Sequence, residues 1–190
     1  KLKTGPLPPL AKFAGDFGIV EWKEGGILPV TLRNVEAPLP LASQRLPAAQ
    51  MNSQRLTDDA QVIAAIQALA AFERQGRSIR NADKPGSDRY DPYYARELPF
   101  LKGKPGVASR TLPKPGGSAE FEVVGIPLGQ PGYHIVEIES RLLGAALLSE
   151  PKPMYVRAAA LVTNMAVHFK RGKDNALVWV TTLDTGKPVP

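Results

Sequence analysis

The sequence predicts a mainly β protein, an antiparallel β-sandwich with one inserted α-helix, and three observations carry that prediction. Short segments in which apolar and polar residues alternate recur between Gly and Pro turns, as where Val30 and Leu32 alternate with Thr31 and Arg33. A single stretch, 57–76, has helical periodicity, so the alternating helices of a parallel α/β sheet are missing. The chain also holds 19 Pro and 17 Gly in 190 residues, which implies frequent turns without reaching low-complexity composition.

In chain order, residues 1–12 hold three prolines and read as an extended lead-in. Phe17–Lys23 and Ile27–Arg33 then flank Glu24-Gly25-Gly26, a hairpin signal, with Pro29 suited to an edge or a strand start. Thr57-Asp58-Asp59 supplies an N-cap and a negative first turn, and Val62, Ile63, Ile66, Leu69 and Ala70 form an apolar stripe before Gly76. Such a stripe needs a sheet face or a neighbouring domain to cover. Prolines 85, 92, 99, 105, 113 and 115 make 81–117 mostly loop.

Strands resume at 119–125, turn back through Pro127–Gly132 and continue as Tyr133–Glu139, with Ala145–Leu148 as a further candidate. Glu150-Pro151-Lys152-Pro153 reads as a short stiff linker. Three strands follow at Tyr155–Val162, Met165–Lys170 and Ala176–Thr182. Three strands cannot close a sandwich alone, so the reading is one domain over 1–152, with a helix and loop insertion at about 43–117, and an incomplete second unit over 153–190. The opening Lys1-Leu2-Lys3 has no start Met, and the chain reads as a piece of something longer.

Composition removes several function classes. The absence of cysteine excludes thiol nucleophiles, thiolate metal sites and disulfides within this chain. Apolar runs such as Ala158–Val162 reach five residues, against about 20 for a membrane-spanning helix. Segment 77–117 is the most basic, with nine Lys and Arg against four Asp and Glu, interleaved with Tyr90, Tyr93, Tyr94 and Phe100. Its acidic residues are interspersed and no basic helix face or nucleic-acid motif appears, so it reads as a solvated loop with no nucleic-acid partner.

Phosphate-binding, dinucleotide-binding, hydrolase and zinc-protease motifs are absent from the sequence. His134 and His168 lie on alternating strands and read as solvent-face residues, without partners at metal-ligand spacing. Glu120/Glu122 and Glu137/Glu139 each share a strand face, and a hairpin of those strands would gather four carboxylates of the kind glycosidases use. Their plainer reading is a polar solvent face opposite Phe121, Val123, Val136 and Ile138. The cluster Tyr90, Tyr93 and Tyr94 is the possible interface, because exposed tyrosines anchor contacts; otherwise its rings pack back on their own domain. The reading assigns no catalytic, metal or cofactor-binding residue and no cofactor.

Tyr155-Val-Arg-Ala-Ala-Ala-Leu-Val-Thr-Asn164, Met165–Lys170, Asn175–Asp184 and Thr185–Pro190 resemble the opening of a macroglobulin-like domain of the bacterial alpha-2-macroglobulins. Phe17–Glu21, Gly26–Asn34 and Pro131–Ser140 resemble the domain before it. The resemblance implies macroglobulin-like sandwich domains upstream of a bait region, in a periplasmic protease trap tethered to the inner membrane by a lipid. It implies a non-enzymatic scaffold whose partners are the remaining domains of the same protein and, through the whole molecule, target proteases. The family's thioester needs a cysteine, so that chemistry lies outside this chain. The alternative is a stand-alone sandwich module for adhesion or carbohydrate binding.

Overall fold

In strand β3 (Ile27–Arg33), Leu28, Val30 and Leu32 point inward and the residues between them outward. Strands β1 (Leu10–Phe13) and β8 (Glu122–Pro127) flank β3, both antiparallel, and complete a three-stranded sheet in the order β1-β3-β8. This computed structural model describes residues 7–35, 49–80, 86–112 and 121–190. The expected lead-in before Leu7, Glu120, and the insertion's segments 43–48, 81–85 and 113–117 lie outside the described residues.

A second sheet runs β2-β10-β9-β4-β7, from strands Phe17–Glu21, Met154–Thr163, Gly132–Ser140, Gln50–Leu56 and Val107–Thr111. Its pairs are antiparallel except β2 with β10, which run parallel. Phe13, Val30, Leu32 and Ile126 of the first sheet meet Met51, Val136, Ile138, Ala158 and Ala160 of the second in the sandwich core. Full burial of a side chain such as Ile138 contributes about 1.5–3 kcal/mol.

The other face of the second sheet is covered as well. Helix α1 (Asp59–Glu73) and the segment around Phe100 and Leu101 pack on Tyr133, Ile135 and Ala159. Strand β9 is therefore buried on both faces, which is why Tyr133–Ile138 is an unbroken run of buried residues. Asp58 caps α1 by accepting a bond from the Gln61 N–H at 2.9 Å. The stripe that touches the sheet is Val62, Ala65, Leu69 and Phe72, rotated from the expected one, so Ile63 and Ile66 stay exposed. The alanines of α1 make its apolar moment weak, and contact with the sheet sets its rotation.

Several expectations are corrected. β2 and β3 form no hairpin: the turn through Gly25 and Gly26, both at positive φ, passes the chain from the second sheet to the first. β8 and β9 likewise lie in opposite sheets, so the glutamates of Glu122 and Glu137 share no face. β4 and β7, inside the expected insertion, are sandwich strands, and the excursion from the sandwich runs between them. Ala145–Leu148 is no strand; helix α2 (Arg141–Leu147) occupies it, capped by the Ser140 hydroxyl, which accepts from the Leu143 N–H.

The boundary expected at 152/153 also moves. β10 is an inner strand of the second sheet, so Ala158, Ala160 and Val162 are buried and belong to the first sandwich. Beyond it, β11 (Met165–Arg171) and β12 (Ala176–Thr182) form a hairpin that pairs with no other strand among the described residues. Its base is tied back by a Lys23–Asp184 ion pair at 2.5 Å and by the Lys23 N–H donating to Asn164 Oδ1.

Candidate functional site

Glu137 and Arg157 face each other across β9 and β10, and both side chains are almost fully withdrawn from water. One Glu137 oxygen accepts from Arg157 Nε at 2.6 Å and from the Phe100 N–H at 2.7 Å. Its other oxygen accepts from the Leu101 N–H at 3.2 Å. Arg157 Nη1 donates to Glu73 of α1 at 2.9 Å, and Nη2 donates to the carbonyls of Ala95 and Leu98. Its guanidinium also lies over the Phe72 ring, 4.8 Å from the centroid. One arginine therefore joins two sandwich strands to the helix, to the 3-10 turn Tyr94–Glu97 and to the loop behind it.

A charge pair this deep is stabilised only if its polar atoms are partnered, and here both carboxylate oxygens and all three guanidinium nitrogens are. The pair fixes where the excursion sits on the sheet. Glu137 is thus corrected from a solvent-face residue to the centre of a buried clamp. The residue that sequence reasoning missed is Arg157, although the signal was present: a lone cation in the apolar run Met154–Val162 belongs in a core only with a partner.

The other candidates separate. His134 is buried rather than solvent-facing; Nε2 donates to the Gln130 carbonyl at 2.8 Å. Burial lowers its pKa, with the Gln130 bond opposing and Arg55 adding to the shift. His168 is exposed on β11, and Glu139 is partly buried beside Tyr155, whose pKa is pushed up to about 12 by burial first and by Glu139 and Glu137 second. Phe121 and Val123 are exposed while Val124 and Ile126 are buried, so the faces of β8 are the reverse of those expected. Among the described residues no three His, Asp or Glu side chains gather as a metal site. No helix among them is long and apolar enough to cross a membrane.

The three tyrosines divide by position. Tyr90 and Tyr93 are 62% and 61% exposed, whereas Tyr94 is half-buried under the Arg77 guanidinium, 4.7 Å from its ring centroid. Arg96 lies over Tyr93 at 4.6 Å. The short hairpin β5 (Arg77–Ile79) and β6 (Arg89–Asp91) carries Tyr90, whose hydroxyl end lies so close to Gly76 that a larger residue there would have to displace the ring. Arg77 and Lys152 converge on Glu97 at 3.1 and 2.5 Å, and that bond to Glu97 is the main cause of a raised Lys152 pKa. The network fastens the tyrosine-bearing segment to the 150–153 linker.

Two packed sheets, a helical excursion on one of them and a mainly antiparallel order define a macroglobulin-like β-sandwich fold. Among solved structures, native alpha-2-macroglobulin from Escherichia coli, in a crystal structure spanning domains MG0-NIE-MG1, is similar over 99% of this chain, with a TM-score of 0.50 and 15% identity. The chain spans 50% of that structure's length, and at such identity the likeness shows the fold alone. No family model matches the chain, and no curated protein matches it.

Proposed function

We propose that this chain is a scaffold segment of a bacterial alpha-2-macroglobulin, a periplasmic broad-spectrum protease inhibitor that works as a trap. The observation that carries this reading is the extent of the likeness: sandwich, excursion and terminal hairpin together follow a macroglobulin structure over 99% of the chain. In this role the segment is non-enzymatic and holds neighbouring domains in position. Its partners are the remaining domains of the same protein, and target proteases only through the whole molecule. The hairpin β11–β12 is then the start of a second macroglobulin-like domain, and Tyr90 and Tyr93 form a contact to a neighbouring domain.

The test is the intact mass of the source protein together with its effect on a protease. A parent several times heavier than 20.5 kDa, which blocks digestion of large proteins while small peptides are still cleaved, is the expected outcome. A parent of the same mass as this chain leaves no room for a trap and sinks the proposal.

A further inference from the structure

The second sheet has a gap the length of half a strand. β2 pairs with β10 only from Ala159 to Thr163, because residues before Phe17 leave to form β1 in the other sheet. Among the described residues no strand pairs with Met154–Ala158 on that side. The Ala159 N–H donates across to the Asp16 carbonyl at 2.8 Å. Backbone groups alternate in direction along a strand, so those of Tyr155 and Arg157 point into the same gap. Five residues of open edge correspond to about 16 Å of strand.

The gap opens into a groove of about 890 Å³. β10 forms its floor, residues 10–17 one wall, and α1 with the Pro92–Arg96 segment the other. Apolar side chains border both sides, Ala11 and Phe13 from the first sheet and Ile66 and Ala70 from the helix. Ile66 is 45% exposed because the rotation of α1 turns it away from the sheet and toward this space. The nearby carboxylate of Glu73 is already engaged by Arg157, while Lys12 and Arg96 stand at the rim without an acidic partner among the described residues. Asp16, on the same wall as Lys12, also lines the groove without a cationic partner among the described residues, so the unpaired charge is two cations against one carboxylate, and Arg96 on the opposite wall faces no carboxylate of its own segment.

We propose that this groove binds an extended peptide segment as an added strand along Met154–Ala158, with apolar side chains on both faces and an acidic residue toward Arg96. Main-chain bonds to Tyr155 and Arg157 supply alignment, and the walls select the side chains, the division of labour in strand addition at a sheet edge. The inference does not depend on the trap reading, since it rests on an edge left unpaired among the described residues.

The probe is a displayed library of segments about ten residues long, enough to cover the open edge, with alternating β-branched residues and a fixed aspartate. A binder is then synthesised with N-methyl groups on either alternate set of amides. Blocking the set that faces β10 is expected to weaken binding about tenfold, as loss of two hydrogen bonds would, and blocking the other set to leave it unchanged. Ile66→Arg should abolish binding while Ile63→Arg, on the same helix but outside the groove, should not; both sites are exposed, so the fold survives. Arg96→Glu should weaken the aspartate peptide and favour one with lysine in its place. A library without binders, a binder indifferent to Ile66→Arg, or equal effects of the two N-methyl patterns overturns the proposal.

Discussion

Arg157 and Glu137 behave as a unit, and their energetics are asymmetric. Arg157→Met leaves a buried carboxylate facing two N–H groups and no cation, which should cost about 3–5 kcal/mol. The double replacement Glu137→Leu with Arg157→Met removes both charges and should recover part of that loss, while orphaning the Phe100 and Leu101 N–H groups. Urea denaturation of the two singles and the double gives the coupling, and strict additivity would show that the pair is not a unit. His134 sets a second residue-scale prediction. Its folded pKa lies below the ordinary 6.5, so the unfolded chain takes up the proton first as pH falls. Stability should therefore decline from about pH 7 downward through 6.5 and level off below the folded pKa. Arg55 borders the same small pocket, and its positive charge adds to the lowering. Thermal midpoints across pH 5–7 should flatten in His134→Gln, and an unchanged slope would assign the effect elsewhere.

At the scale of elements, legibility tracked how local the determining contacts are. β9, β11 and β12 were readable because their apolar runs and flanking turns are local, and the cap of α1 was readable because Asp58 acts within three residues. β4 was not: Gln50-Met-Asn-Ser-Gln-Arg-Leu56 has little apolar pattern and becomes a strand through pairing with β9 and β7. The β2–β3 turn misled for a related reason, since Gly25-Gly26 permits a hairpin and equally a crossing between sheets. Half of the clamp was likewise legible: Glu137 stood out as a carboxylate, but its burial depends on α1 and the loop covering β9. These elements should differ in hydrogen exchange. β10, paired on both sides over Ala159–Val162, should be protected near the global limit, and β11–β12 should exchange much faster. Equal protection of the two would mean that the hairpin is packed against something in this chain.

For the molecule as a whole, the hairpin bears most directly on the scaffold proposal. Met165, Val167, Phe169 and Val178 share one face of β11–β12 by register and are each 48–66% exposed. A two-stranded ribbon is marginal alone, and an apolar face of this kind is stable in water only weakly. If the continuing polypeptide of a trap covers it, the same substitution must act differently in the two contexts. Phe169→Asp should change the stability of the 190-residue chain by less than about 0.5 kcal/mol, because an exposed side chain has little burial to lose. In the intact source protein it should cost about 3–5 kcal/mol, the range for removing a buried Phe side chain. Thermal and urea unfolding of both proteins, each with and without the substitution, measures the difference. A neutral effect in both contexts would leave the hairpin uncovered in the parent and remove the second domain from the proposal, while the fold of the first sandwich would stand.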